Sequence, residues 1–153
     1  MRRATKVIAA GDWPRAEARR TVTLDFDSRH RRRLRLTADD GEAVLLDLPE
    51  AAVLREGDGL EIEGSGWIEV RAAPESLLDI TCADPRALVR VAWHLGNRHL
   101  PTQILEGRLR IRDDHVMAAM LTGLGARVES VTAPFDPESG AYQHEHGDGR
   151  DPE

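Results

Sequence analysis

The chain has 153 residues, 41% apolar and 31% charged, which suits one ordinary domain or two small ones and is too apolar for wholesale disorder. Aromatics reach only 4% and Cys82 is the single cysteine, which argues against RNA reading by stacked bases and excludes an intramolecular disulfide or a multi-thiolate zinc cage. Net charge is −6 but uneven: residues 1–37 hold eleven Arg/Lys against four Asp/Glu, and the remainder holds ten against twenty-three.

The chain begins with a basic end and a four-residue apolar run at positions 7–10. A secretory leader needs roughly 7–15 apolar residues, and nowhere is there a stretch near the ~20 that spans a bilayer. These features predict a soluble cytoplasmic protein that makes no membrane contact.

Residues 21–26 alternate as a strand does, and so do residues 33–37. Between them lie Arg29, His30, Arg31, Arg32 and Arg33, with Arg35 following. This run reads as a nucleic-acid patch or as the solvated face of a strand. All but one of the 21 basic residues are Arg and the chain is acidic overall, so nucleic acid is the poorer match and an acidic protein partner the better one. Asp39-Asp40-Gly41 supplies a hairpin turn, because Asp-Gly tolerates positive φ. Val44, Leu46 and Leu48 alternate up to Pro49. A turn at Glu56-Gly57-Asp58-Gly59 then leads to strands at 60–63 and 67–71. Short strands at this spacing predict a small sandwich or barrel over residues 1–73.

The linker is expected at 72–76, after which the texture changes. Residues 77–81 suit a strand. Asp84-Pro85 opens a helix, with Asp as N-cap and Pro at the first helical position. Leu88, Val91, Ala92 and Leu95 share one face of it, and Gly96 with Asn97 is expected to end it in the left-handed conformation. Strands follow at 102–105 and 108–112, joined around Glu106-Gly107. Asp113 or Asp114 caps a second helix striped by Val116, Met117, Met120, Leu121 and Leu124, and Gly125 stops it. A last strand covers 126–131. The order β-α-β-β-α-β predicts a ferredoxin-like domain over residues 74–133. The chain is therefore expected to be α+β: a small N-terminal all-β domain, the βαββαβ domain, and a disordered, polar tail over 134–153.

Five of the six histidines fall in the second half, and neutral imidazole is the commonest protein ligand for zinc, nickel and copper. His30 sits among arginines as a solvated strand residue. His94 reads as an amphipathic helix residue. His99, just past the helix stop, reads equally as a ligand or as a loop residue. His115 shares its helix start with Asp113 and Asp114, whose presence capping alone explains. His144 and His146 flank Glu145 at a spacing that points both imidazoles the same way in an extended chain, although two histidines in a polar tail are also unremarkable by themselves. No H-E-x-x-H, G-x-S-x-G or phosphate loop is present.

Gly96-Asn97-Arg98-His99-Leu100-Pro101, then Gln103-Ile104, Asp114-His115-Val116 and the segment from Pro134 through Gly140-Ala141-Tyr142 resemble the UreE family, urease accessory proteins that act as nickel metallochaperones. The resemblance implies no enzymatic activity. It implies a homodimer through the ferredoxin-like domain, with His99 binding Ni(II) at the interface, and delivery to the accessory GTPase UreG and the urease assembly complex. By the same resemblance His115 matches a second metal-binding position of some relatives, and His144 and His146 stand where many relatives carry a long histidine tail. The fit is physical as well: a two-fold axis would pair the two copies of His99, and tail imidazoles would complete the set. Such a site would also take Zn(II) or Cu(II) in vitro. Two other readings remain: a mononuclear zinc hydrolase using His94, His99 and His115 with Asp113 or Asp114 as base, and a protein-interaction module without a metal.

Overall fold

Alternating burial shapes the first half into strands. A computed structural model describes residues 1–64 and 66–138, and the chain divides between Ala73 and Pro74 into two units. The first contains β1 (Arg2–Ile8), a single 3-10 turn (Arg15–Glu17), β2 (Ala18–Leu24), β3 (His30–Thr37), β4 (Ala43–Val53), β5 (Gly59–Ile62) and β6 (Trp67–Ala72). They form one sheet in the order β2-β6-β5-β1-β4-β3, in which β1 runs parallel to β4 and β2 parallel to β6. Val44, Leu46 and Leu48 all point inward and pack with Ala4, Val22, Leu36, Leu60, Ile68 and Val70. The sheet's outermost strands are tied where Asp39, just beyond β3, donates its N–H to the Thr21 carbonyl of β2 at 2.9 Å.

Three features of this unit depart from the sequence expectation. β1 is an inner strand, although only Ala4 of it is fully buried; its arginines mask the pattern, and Arg3 instead reaches Asp47 at 2.7 Å. β4 continues through Pro49 because the β3–β4 register jumps from Arg33↔Asp47 to Arg31↔Ala52. Pro49 lies in that bulge, where no ladder donor is required. The arginine run also divides by role. Arg29 is wholly buried, donating to the carbonyls of Leu24 at 3.2 Å and Leu54 at 3.1 Å, and His30 is half-buried against the Phe26 ring. Arg31, Arg32, Arg33 and Arg35 are exposed, the first three around the register shift between Arg31 and Arg33.

The second unit contains β7 (Pro74–Thr81), α1 (Pro85–Asn97), β8 (Gln103–Leu105), β9 (Arg108–Arg112), α2 (His115–Gly123) and β10 (Arg127–Pro134). Its antiparallel sheet has the order β10-β7-β9-β8, the ferredoxin-like arrangement. Leu78, Ile80, Leu109 and Ile111 form a core with Val91 and Leu95 of α1 and Met117 and Leu121 of α2. β7 starts at Pro74, so the expected linker at 72–76 is mostly strand. Val116 and Leu124, expected in the apolar stripe of α2, are exposed. Residues 134–138, expected to begin the tail, are folded: Pro134 pairs with Pro74, and Phe135 is fully buried. The rest of the expected tail, 139–153, lies outside the described residues. The architecture is α+β. Among the described residues no helix is long and apolar enough to cross a membrane.

Candidate metal centre

α1 begins as its sequence dictates. The Asp84 carboxylate accepts from the Ala87 N–H at 2.8 Å, and Pro85 occupies the first turn. The helix runs through Gly96 to Asn97, with Arg98 as C-cap. Beyond it the His99 N–H donates to the Gly96 carbonyl at 3.0 Å and the Leu100 N–H to the Leu95 carbonyl at 3.2 Å, while Leu100 packs on the core that holds Leu95. This pair of bonds closes a helix around one left-handed residue, usually glycine. Here that residue is His99, at φ +56°, the only non-glycine residue with positive φ among those described. The left-handed position falls neither on Gly96 nor on Asn97, as the sequence had suggested. Histidine tolerates positive φ better than most side chains, yet the conformation costs it about 1–2 kcal/mol. The His99 side chain is exposed.

Chain direction gathers several candidate groups at one end of this sheet. α1 returns to the end where β7 begins; β9 finishes there at Arg112, opposite Leu77, and β10 finishes there at Pro134, opposite Pro74. The His99 turn, the start of α2 with His115, and the exit of β10 therefore share that end. His115 is exposed on the first turn of α2. Asp114 is the cap, accepting from the N–H groups of Val116 at 2.9 Å and Met117 at 3.1 Å. Asp113 donates its N–H to the Ser76 carbonyl at 3.0 Å.

Among the described residues no three His, Cys, Asp or Glu side chains stand close enough to hold one ion. The hydrolase reading needed His94, His99 and His115 together with an aspartate, and the structure does not bring them together. His94 is half-buried with its ring edge-on to Trp93, centroids 5.1 Å apart, and Asp114 is engaged in capping. His144 and His146 lie outside the described residues. Three further large apolar side chains of this unit stand exposed, Val89 and Trp93 on α1 and Ile104 on β8. Ile104, Ala92, Gly96 and Leu100 also border a depression of about 170 Å³, which Glu138 reaches from the other side. Sequence reading did not anticipate the positive φ of His99, because Gly96 and Asn97, three and two residues earlier, are themselves common helix stops.

Comparison with known proteins accounts for nearly the whole chain. Residues 4–73 match the family model described as the UreE urease accessory protein, N-terminal domain, and residues 75–153 match the corresponding C-terminal domain. A urease accessory protein UreE of Bradyrhizobium sp. (strain BTAi1) is 56% identical over 152 residues, covering 99% of this chain and 73% of that protein. UreE of Chelativorans sp. (strain BNC1) is 52% identical over 149 residues, covering 97% of this chain and 92% of its own length. UreE of Rhizobium meliloti (strain 1021) is 50% identical over 147 residues, 95% of either chain. The chain belongs to the UreE family of urease accessory proteins, chaperones of urease maturation rather than enzymes.

Proposed function

We propose that the protein is a cytoplasmic nickel chaperone: it binds Ni(II) between two copies of itself, at His99, and delivers it to the accessory GTPase UreG and the urease assembly complex. The observation that carries this reading is the His99 turn. An exposed imidazole is held in a left-handed conformation at the end of a helix whose neighbouring surface displays Val89, Trp93 and Ile104 to solvent. That apolar surface suits a second copy, and a two-fold axis passing beside the turn would pair the two His99 side chains. Two imidazoles leave most of a nickel coordination sphere unfilled. His144 and His146 of each chain supply further nitrogen donors, with His115 an auxiliary ligand at the same end of the domain. Imidazole donors drawn from separate segments can be exchanged one at a time, which suits transfer. Copper and zinc also bind such donors in vitro, Cu(II) the more tightly.

The test is nickel titration of the full chain and of His99→Ala, by calorimetry with sedimentation in parallel. The substituted protein is expected to lose the tight phase while keeping its circular dichroism. Because imidazole ligates only when neutral, binding in the unsubstituted protein should weaken as pH falls from about 7.5 to about 5.5. Tight binding of one ion per dimer by folded His99→Ala would overturn the reading.

A further inference from the structure

The outer face of the first unit's sheet carries a group of arginines that nickel binding does not use. In β3, Leu36 is buried and Leu34 packs half-buried on the core, so Arg33 and Arg35, on either side of Leu34, face the other way. Register sets their neighbours. Arg33 lies opposite Asp47 of β4, and Arg35 lies opposite Leu45, which on its other side lies opposite Arg3 of β1. Val44, Leu46 and Ala4 belong to the core, so Leu45, Asp47 and Arg3 share the outer face. Along β3 the Arg33 and Arg35 positions are about 7 Å apart, and Arg35 is two strand spacings, about 10 Å, from Arg3. Asp47 is the carboxylate at the centre of the group. Its oxygens lie 2.7 Å from Arg3, 3.7 Å from Arg33 and 4.0 Å from Arg32. Only the first is a hydrogen-bond distance, and Arg32 is further held by donating to the Leu48 carbonyl at 3.0 Å. Glu63, at the margin, lies 3.6 Å from Arg3. Arg3, Arg32 and Arg33 thus share two carboxylates, and Arg35 makes no ion pair among the described residues.

We infer that this face docks an acidic surface of a protein partner, whose carboxylates are received by Arg33 and Arg35 beside Leu45. A guanidinium fork takes a carboxylate through two parallel hydrogen bonds. Arg33 and Arg35 keep their forks available, because Asp47 is committed to Arg3 and its side chain is only 15% exposed, against 57% for Arg33. Carboxylates two residues apart on an extended segment, or one turn apart on a helix, stand about 5–7 Å from one another and match the spacing of this pair. Like charges gathered on one face repel, and incoming carboxylates relieve that repulsion. Arginine is also the cation enriched at protein interfaces, and Leu45, half-buried among the charged groups, gives the patch an apolar centre within a polar rim. Nucleic acid suits the face less well. A phosphate chain would meet the Asp47 carboxylate in the middle of the cations, and the whole chain carries a net charge of −6. The inference lies in the first unit and stands whether or not His99 binds nickel.

The experiment follows binding of the full-length protein to a fluorescein-labelled oligoglutamate peptide by anisotropy, with an oligothymidylate of equal charge in parallel. The unsubstituted protein should bind the peptide, more weakly as salt rises, and should prefer it to the oligonucleotide. Arg33→Glu/Arg35→Glu should weaken peptide binding about tenfold. Arg33→Lys/Arg35→Lys keeps the charge but loses the forks, and should weaken it about two- to threefold. Arg86→Glu/Arg127→Glu makes the same charge change at exposed positions of the second unit and should stay within about twofold of the unsubstituted protein. Circular dichroism and melting accompany each variant, and the lysine pair carries the test if the glutamate pair does not fold. Absence of peptide binding, or unchanged binding by the Arg33 and Arg35 variants, would overturn the inference. Equal weakening by Arg86→Glu/Arg127→Glu would overturn it as well, because net charge rather than this face would then govern binding. Tighter binding of the oligonucleotide, lost in Arg33→Glu/Arg35→Glu, would replace the acidic protein with a nucleic acid.

Discussion

The two helices of the second unit end in the same hydrogen-bond pattern and differ in the residue at its turning point. In α2 the Gly125 N–H donates to Thr122 at 3.0 Å and the Ala126 N–H to Leu121 at 3.1 Å, with Gly125 at φ +89°. In α1 the corresponding bonds run from His99 to Gly96 at 3.0 Å and from Leu100 to Leu95 at 3.2 Å, with His99 at φ +56°. The backbone asks the same of both positions: tolerance of the left-handed region. Glycine meets it without steric cost, whereas histidine stores local strain. The turn geometry by itself favours glycine at both positions.

The largest effect expected from breaking that comparison is His99→Gly. Nickel binding should weaken at least tenfold, while the protein becomes more stable by about 1 kcal/mol, because the strain is relieved. Titration and urea unfolding of one preparation check both halves. Retained nickel affinity would detach function from this turn, and lost stability would mean that His99 makes contacts worth more than its strain.

Acid should act on both helices together. Asp79 of β7 takes a two-pronged contact from Arg110 of β9, at 2.7 and 3.1 Å, and a further bond from Arg108 at 3.0 Å. The Arg110 hydrogen bonds hold its carboxyl below the usual carboxylate range, outweighing the opposing effect of burial. The unfolded chain therefore takes up this proton more readily than the folded one. The stability due to Asp79 is complete above about pH 4 and is lost as pH falls through its depressed folded value. Melting curves from pH 7 to pH 2 should show the loss, and Asp79→Asn should flatten that part of the profile. An unchanged acid profile in the variant would show that the sheet supporting both helices does not rely on this pair.

A reciprocal exchange has a smaller effect. Gly125→His places at α2 the residue that α1 tolerates, in open space, since no atom lies within 4 Å of where its Cβ would sit. Stability should fall by about 1–2 kcal/mol, with no new nickel site. Unchanged stability would mean that histidine at such a turn is not strained.

The smallest effect concerns Gly96 and Gly123, which are helical and also face open space. Each glycine-to-alanine change should stabilise by roughly 0.5–1 kcal/mol in urea unfolding. Destabilisation by Gly96→Ala would restore the sequence expectation that α1 stops there.

The elements that sequence reading located are those whose cause is local. Asp84-Pro85, Asp114 and Gly125 act within one turn of the chain, and the alternation of Val44, Leu46 and Leu48 records a single buried face. β1 escaped it because an inner strand is defined by its partners, β4 and β5, which lie some forty to sixty residues away in sequence. Arg29 was misplaced for a related reason: it stands in a run of exposed arginines, and only its fold neighbours Leu24, Phe26 and Leu54 make its burial tolerable.

At the candidate site the division is the same. The residues from Gly96 to Pro101 and from Asp114 to Val116 were enough by themselves to suggest a family and a set of metal ligands, because imidazole chemistry and motif order are properties of the chain. Caps, turns and strand alternation likewise follow from interactions within a few residues. What the tertiary structure alone decided is where those residues go. Chain direction in the antiparallel sheet places the His99 turn, the start of α2 and the exit of β10 at one end of the domain. The left-handed strain falls on His99 rather than Gly96 because the core seats Leu95 and Leu100 together. Residues 134–138, polar enough to read as a tail, are ordered by a buried Phe135 and by bonds to Gln103 and Thr102 more than thirty residues earlier. No local pattern encodes such pairings, since their free energy exists only once both segments are in place.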